Sequence, residues 1–173
     1  GRFHAQKYGQ LPDSELLAVV DGRPEARDAV ARELGCEALA DHHALLGKVD
    51  AVSIVTTTPA HFQIASDFLA AGTHVLVEKP VTETVAQARQ LILAAKAAGR
   101  VLQVGHLERF NAAILAAEPW LSKPRFIECQ RLAPYKQRGT DVDVVLDLMI
   151  HDIDIVQSIV GSDIDAIDAI GTS

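Results

Sequence analysis

One segment of the sequence places three ionisable side chains at the spacing of a single helical face. Asp147 and His151 are four residues apart and Asp154 follows three residues later, so an α-helix would align all three on one stripe. An imidazole titrates near neutral pH and a neighbouring carboxylate can orient it, which suits the group to proton transfer. The segment therefore predicts an acid–base site on a helix that is otherwise apolar.

The same side chains could instead hold a divalent metal ion, because Asp and His are common metal ligands and His151-Asp152 is an HD pair. Such a site needs further His and Asp ligands on neighbouring helices. The other histidines are dispersed among predicted strands and turns, at His4, His42, His43, His61, His74 and His106. We therefore predict acid–base chemistry at this segment and no metal site.

A lysine follows a short apolar run in the segment Glu78-Lys79-Pro80. Open α/β sheets bind their ligands at the carboxyl ends of the strands. A lysine there can donate a hydrogen bond to a substrate hydroxyl and influence a neighbouring base, and Glu78 could orient the lysine or contact a cofactor ribose. A Glu-Lys pair is also common on protein surfaces, so the pair alone leaves both interpretations open.

Two further segments have features of nucleotide binding. Gly1 precedes Asp21 by 20 residues, the spacing between the last glycine of a G-x-G-x-x-G turn and the acid that hydrogen-bonds the adenosine ribose. An acid at that position repels a 2′-phosphate and favours NAD over NADP. The loop 56–59, Thr-Thr-Thr-Pro, suits a close passage over a cofactor. Two alternatives remain: Asp21 could simply end a strand before a turn, and Thr58 or Pro59 could simply begin the next helix.

The elements that would position these residues alternate between strands and helices. Strands are predicted over 16–21, 51–56, 74–78 and 101–105, and helices over 2–8, 24–35, 61–71 and 82–98. This alternation predicts parallel β-α-β units and an α/β fold with a doubly wound Rossmann sheet. No strand precedes the first helix, although the first strand is central in the Rossmann order 3-2-1-4-5-6. We therefore predict two half-sheets and a chain that is part of a longer one.

The sequence changes character after Asn111, where prolines interrupt the chain. A strand of mixed polarity is predicted over 125–132, a helix over 142–160 and a strand with one wet face over 164–170. The domain boundaries that follow are 1–118 for the Rossmann domain and 119–173 for the beginning of an α+β open-sheet domain.

The composition excludes several classes of protein. The 16 Lys and Arg against 23 Asp and Glu give a net charge of −7, and the absence of a basic run argues against a nucleic-acid partner. Cys36 and Cys129 lack the spacing of a zinc site or a disulfide framework. No apolar run reaches the roughly 20 residues that a membrane helix needs. We predict a cytoplasmic protein with a small-molecule ligand and no membrane partner.

Taken in order, the segments resemble the Gfo/Idh/MocA family of oxidoreductases. The resemblance covers nearly the whole chain. It rests on a Gly-Arg-x-His helix start, Asp21, TTTPAHF (56–62), AGTHVLVEKP (71–80), VGHLERFN (104–111) and the D-x-x-x-H-x-x-D helix. Each motif is weak singly, but the ordered set is specific.

The resemblance implies an NAD(P)-dependent dehydrogenase that moves a hydride between a secondary hydroxyl and nicotinamide. It implies Lys79, Asp147 and His151 as the catalytic residues: His151 would take the hydroxyl proton, Lys79 would polarise the same oxygen and Asp147 would help to place the substrate. Cofactor contacts would come from Gly1, Asp21, Thr56, Thr57, Pro59, His61, Glu78 and Lys79, and substrate contacts from Arg109, Asn111 and Asp147.

The sequences of the last two motifs, VGHLERFN (104–111) and the D-x-x-x-H-x-x-D helix, are most similar to those of the UDP-N-acetylglucosamine 3-dehydrogenase branch of the family. A sugar or UDP-sugar substrate is therefore expected, with assembly into a homodimer or homotetramer through the C-terminal sheet. The chain departs from the family in lacking the first two glycines of the fingerprint, and in having Met149 where many members have glycine. The alternative function is a non-catalytic dinucleotide-binding sensor of the same fold.

Overall fold

The computed structural model describes residues 1–121, 124–132 and 143–171. The chain forms two compact units, Gly1–Gly105 and His106–Ser173. This division comes earlier in the chain than the predicted boundary between 118 and 119. The reason is that the segment Leu107–Phe110 packs against the helix that begins at Ile150, so it belongs with the second unit.

The first unit alternates strands and helices as predicted. Its elements are α1 (Arg2–Tyr8), β1 (Ala18–Val20), α2 (Pro24–Leu34), β2 (Glu37–Leu39), a 3-10 helix (His42–Leu45), β3 (Ala51–Ile54), α3 (Thr58–Ala70), β4 (His74–Val77), α4 (Val85–Ala98) and β5 (Leu102–Val104). Each strand pair is parallel. The predicted α/β class is confirmed.

The five strands form two separate parallel sheets. One has the order β1-β2 and the other the order β3-β4-β5, which agrees with the prediction of two half-sheets. The strand β2 was not predicted, because its three residues are too few to show a periodicity. It pairs with β1 from Ala18↔Glu37 to Val20↔Leu39.

Local sequence signals explain where α2 begins and ends, and they explain why α4 begins later than predicted. The Pro24 start of α2 and the left-handed Gly35 after it, at φ 71°, are the predicted ones. Helix α4 begins three residues later than predicted, because Thr84 and Gln87 form a reciprocal capping box. The predicted cap, Thr82, is buried and donates its hydroxyl to Thr84 O at 2.9 Å.

The core of the first unit lies between the three-stranded sheet and helices α3 and α4. Its apolar cluster contains the fully buried side chains Phe68 and Leu69 from α3, Leu91 from α4 and Val75 and Val77 from β4. The sheet is therefore fixed from the side of these helices, and the carboxyl ends of β3 and β4 are held in register from Ala51↔His74 to Ile54↔Val77.

Over the residues that the structure describes, the regular elements of the second unit are all helices, and 124–132 and 161–171 are irregular. It contains 3-10 helices Leu107–Phe110 and Glu118–Trp120, α5 (Ala112–Ala117), a π-helix (Val145–Met149) and α6 (Ile150–Val160). The strands predicted over 125–132 and 164–170 are not formed there, since a strand needs a hydrogen-bonded neighbour and this part of the unit offers none. The predicted start of the helix, at 142, lies outside the described residues.

None of the described helices is long and apolar enough to cross a membrane.

The packing predicts a large difference between two leucines of α4. Leu91 has no exposed surface, whereas Leu93 is 66% exposed. Leu91→Ala should therefore lower the free energy of unfolding by about 2–5 kcal/mol, because it leaves a cavity in the core. Leu93→Ala, the same chemical change on the same helix, should stay within about 0.5 kcal/mol. Urea titration followed by circular dichroism measures both, and equal effects would contradict this account of the core.

Candidate functional site: the carboxyl edge of the strands

A buried histidine joins the loops that follow β3 and β4. His61 is only 1% exposed; its Nδ1 lies 3.0 Å from Pro80 O and its Nε2 lies 3.1 Å from Thr56 O. Both carbonyl oxygens can only accept, so whichever ring nitrogen holds the proton donates to one of these two loops. The imidazole thereby fixes the spacing between the ends of two neighbouring strands.

Lys79 stands in the loop that His61 holds. It follows Glu78 directly after β4, and the Lys79–Pro80 peptide bond is cis. Glu78 N–H donates to Ile54 O at 3.0 Å, so the β3–β4 pairing continues to the residue before the lysine. The backbone of Lys79 is therefore anchored on both sides at the ligand-binding edge of the sheet.

A second histidine ties helix α1 to the same edge. His4 Nδ1 lies 2.7 Å from Ser53 Oγ on β3, and His4 Nε2 lies 2.9 Å from Glu78 Oε1. The side chains of His4 and Glu78 are only 18% and 21% exposed. Glu78, predicted to contact the cofactor or orient Lys79, therefore has a firm structural partner in α1.

Gly105 leaves the room that the Glu78 carboxylate occupies. Its N–H donates to Val77 O at 2.7 Å, directly after β5. A Cβ atom at this position would lie 3.1 to 3.2 Å from the Glu78 carboxylate atoms, which is closer than ordinary van der Waals contact. A larger residue at this position would therefore require the Glu78 carboxylate to shift.

Asp21 directly follows β1, and its carboxylate accepts hydrogen bonds from Arg23. Its Oδ1 accepts the Arg23 backbone N–H at 2.8 Å, and the Arg23 guanidinium lies 3.4 Å away. The Arg23 backbone N–H, aided by that side chain, holds the pKa of Asp21 below its ordinary value. The Asp21 side chain is nevertheless 38% exposed, so it is available to the hydroxyls of a ribose.

Gly1 directly precedes helix α1, whose His4 contacts the Glu78 carboxylate. The cofactor contact expected of Gly1 stays a prediction.

The loop 56–59, here called the threonine loop, leads from β3 into α3. Thr56 and Thr57 are exposed at the end of β3, and Thr56 Oγ1 donates to Thr57 O at 3.3 Å. Thr58 begins α3 and Pro59 lies in its first turn, while the cofactor contact expected of Pro59 stays a prediction. The exposed hydroxyls of Thr56 and Thr57 stay available for a ligand.

The predicted acid–base residues of the second unit lie across a change of helix type. Asp147 is within the π-helix Val145–Met149, and His151 is the second residue of α6. Both are half-buried. Single π-turns within α-helices are frequent at functional sites, because they alter the direction of the side chains. Lys79 belongs to the first unit, and the assignment of the three residues to one catalytic group stays a prediction.

Two arginines pair with other acids of α6. The Arg109 guanidinium donates to both carboxylate oxygens of Asp154, and Arg131 donates to both oxygens of Asp152 at 2.8 and 2.7 Å. The hydrogen bond from Arg131 holds the pKa of Asp152 below its ordinary value. Asp154, expected on the acid–base stripe, is therefore occupied by an ion pair.

Asn111 has a local role in the second unit. Its Oδ1 accepts the Ala113 N–H at 2.9 Å and caps α5, while its Nδ2 donates to Glu108 Oε2 at 3.1 Å. The substrate contacts predicted for Arg109 and Asn111 stay predictions.

Sequence reasoning missed His4, Ser53 and Gly105 as parts of this edge. His4 is separated from its partners by 49 and 74 residues, so no local pattern could reveal the contacts. The only signal was the place of His4 in the Gly-Arg-x-His helix start.

The parallel β-α-β order and the groups at the carboxyl ends of β1, β3 and β4 define a Rossmann-type dinucleotide-binding unit. A family model described as the oxidoreductase family with an NAD-binding Rossmann fold, GFO_IDH_MocA, matches residues 1–106. The chain belongs to this family. The predictions of an NAD-binding Rossmann fold and of Gfo/Idh/MocA membership are confirmed.

Individual members of the family are similar to this chain in sequence and in structure. The chain is 43% identical over 174 residues to a UDP-N-acetylglucosamine 3-dehydrogenase of Acidithiobacillus ferrooxidans, covering 100% of this chain and 55% of that protein. A crystal form of that dehydrogenase, GnnA, superposes with a TM-score of 0.86 at 44% identity, covering 94% of this chain and 54% of the other. An inositol 2-dehydrogenase of Pseudomonas savastanoi is 29% identical over 88% of this chain and 49% of its own length. The chain spans about half the length of the curated relatives it matches.

The geometry predicts that His61 stabilises the site. His61→Ala should lower the free energy of unfolding by about 2–4 kcal/mol, because it leaves a cavity and removes the ring N–H that donates to one of the two buried carbonyl oxygens. It should also weaken NAD binding, since the loops after β3 and β4 lose their link. Urea titration and calorimetric titration with NAD test the two effects.

His74→Ala is the matched control for His61→Ala. His74 Nδ1 accepts a single bond, from Val101 N–H at 2.9 Å, so its loss should change stability less and leave NAD affinity unaltered. Equal NAD affinity in wild type and His61→Ala would contradict the role given to His61.

Proposed function

We propose that the protein is an NAD-dependent dehydrogenase that oxidises a secondary hydroxyl of a nucleotide-activated sugar, with a UDP-linked amino sugar as its substrate. The observation behind this proposal is the position of Lys79, in an anchored loop at the carboxyl edge of an NAD-binding sheet. The similarity to a UDP-N-acetylglucosamine 3-dehydrogenase over the whole of this chain supports the choice of substrate.

The residues at the sheet edge fit NAD. The exposed carboxylate of Asp21 matches the paired hydroxyls of an adenosine ribose and disfavours a 2′-phosphate. Exposed hydroxyls of Thr56 and Thr57 lie at the end of β3, where the loop can approach the cofactor. When bound, NAD accepts the hydride from the substrate carbon.

The proton and the substrate oxygen are assigned to three side chains. In the proposed reaction a bound NAD would supply the acceptor for the C–H hydrogen and its electron pair, and the O–H proton goes to the His151 imidazole. The Lys79 ammonium donates a hydrogen bond to the same oxygen as it becomes a carbonyl, and Asp147 helps to place the sugar. The balanced outcome is a ketone, a reduced cofactor and one proton.

We further propose a cytoplasmic location and assembly into a homodimer or homotetramer. The location is proposed because the sequence has no apolar run long enough for a membrane helix, and the assembly is proposed because the second domain of the family supplies an interface.

The first experiment follows absorbance at 340 nm with NAD against a panel of sugars and UDP-sugars, using the full-length protein. Reduction with a UDP-amino sugar is the expected result. His151→Ala should then lower kcat by at least ~10²-fold, because the general base is removed. Gln157→Ala, on an exposed position of the same helix, is the matched control and should leave kcat unchanged.

Two outcomes would overturn parts of this proposal. Near-normal turnover in His151→Ala would remove that residue from the role of base. Calorimetric binding of NAD without reduction under any sugar would instead favour the non-catalytic sensor.

A second prediction concerns the choice of cofactor. Asp21→Ser should weaken NAD binding about 10-fold or more and strengthen NADP binding, because the carboxylate is lost while Arg23 and Arg27 remain beside the site. Fluorescence titration with NADH and NADPH measures both affinities. Asp13→Ser, the same change on an exposed acid of the first unit, is the control. An unaltered NAD-to-NADP preference in Asp21→Ser would contradict the ribose contact.

A further inference from the structure

Away from the cofactor edge, the first unit brings two stacked histidines between two aspartates. His42 and His43 begin the 3-10 helix His42–Leu45, and their ring centroids are 4.1 Å apart with the planes tilted by 35°. Asp41 precedes them, and Asp67 comes from helix α3. The sequence predicted no metal site because its histidines are dispersed, but the fold adds a distant carboxylate to this adjacent pair.

The Asp41 side of the cluster offers three metal ligands. Asp41 Oδ1 lies 2.6 Å from His43 Nδ1 and 3.6 Å from His42 Nδ1. The three residues can each present a ligand atom within 4.8 Å of the others. Ligands at about 2.0–2.2 Å from a tetrahedral ion are about 3.3–3.5 Å apart. Small side-chain adjustments would therefore bring all three atoms to bonding distance from one ion.

The Asp67 side supplies the outer carboxylate that metal-binding histidines commonly use. Asp67 Oδ2 lies 3.0 Å from His42 Nε2 and 3.7 Å from His43 Nε2. Gln63 Nε2 donates to Asp67 Oδ1 at 2.8 Å and orients the carboxylate. A proton held on Nε2 by such a carboxylate leaves the Nδ1 lone pair directed at the metal. The two aspartates thus have different roles, one as a ligand and one as a positioning group.

The ligand set is held in place before any ion binds. Asp41 caps the 3-10 helix by accepting His43 N–H at 3.0 Å, and His42 packs against buried Phe68 with a ring separation of 5.8 Å. His43 and Asp41 have 60% and 65% exposed side chains, against 18% for His42. One side of the cluster is therefore rigid and the other is open, so that an ion and its water ligands can enter from solvent.

We propose that Asp41, His42 and His43 bind a divalent transition-metal ion of the zinc class, with Asp67 as the positioning carboxylate. Two imidazole nitrogens and one carboxylate suit Zn²⁺, Ni²⁺ or Cu²⁺, whereas Mg²⁺ and Ca²⁺ prefer oxygen ligands alone. The ion links the 3-10 helix to α3, so its role is structural. This proposal is independent of the dehydrogenase activity.

The test is a calorimetric titration of Zn²⁺ into the metal-free full-length protein. The wild-type protein should bind one Zn²⁺ per chain. His43→Ala should abolish this binding or lower its affinity at least ~10-fold. Asp67→Asn should weaken the same binding about 10- to 100-fold, because the outer carboxylate orients the ligands. His74→Ala, which removes a histidine outside the cluster, should leave it unchanged. Titration with Mg²⁺ should give the same heats in wild type and in His43→Ala, because Mg²⁺ prefers oxygen ligands alone.

Loss of Zn²⁺ binding in His43→Ala can be distinguished from loss of the fold. His43 is largely exposed, so His43→Ala should keep the fold, as circular dichroism can check. A rise in Tm with Zn²⁺ should appear in wild type and His74→Ala and be absent in His43→Ala. Equal Zn²⁺ affinity and equal Tm shifts in wild type, His43→Ala and Asp67→Asn would overturn the proposal.

Discussion

The bridge that His61 makes between Thr56 O and Pro80 O sets the geometry of the carboxyl edge. Both carbonyls belong to loops that leave neighbouring parallel strands, where the backbone ladder ends and its polar groups need new partners. A buried imidazole lies within hydrogen-bonding distance of both carbonyl oxygens, and its ring N–H donates to one of them. The loop containing Lys79 therefore takes one defined position relative to the threonine loop.

A second constraint fixes this edge from the other side. The Glu78 carboxylate is placed between His4 and Gly105, and His4 also contacts Ser53 of β3. Helix α1, β3 and the ends of β4 and β5 are thus joined through one acidic side chain. Glu78 and His61 act on the residues either side of Lys79, so the lysine backbone is positioned by two polar contacts that are largely shielded from water. The proposed role of Lys79, which is to polarise a substrate oxygen, requires precise placement of this kind.

The sequence predicted elements well where one signal acts locally, and failed where the cause is a distant contact. Proline and glycine signals located α2, and apolar runs located β1, β3, β4 and β5. The strand β2 is too short to show a pattern, and Thr82 was chosen as the cap of α4 because its burial cannot be read from the chain. His61 was predicted to line the cofactor, but its observed partners are backbone carbonyls. The alternation of 164–170 predicted a strand without regard to the neighbour that a strand needs.

The histidines of the first unit show why residue type alone is a poor guide to function. At His61 both ring nitrogens face carbonyl oxygens, and at His4 they face a hydroxyl and a carboxylate. At His42 the Nε2 side is turned to Asp67 and the Nδ1 side to Asp41. In each case the partners decide whether the imidazole fixes a backbone, docks a helix or presents a lone pair to an ion. A histidine that accepts a proton from a substrate must keep one ring nitrogen available for that substrate. Both ring nitrogens of His4 and of His61 already contact groups of the protein. The role of base proposed for His151 places that function in the second unit, where the π-helix Val145–Met149 directly precedes the helix of this residue.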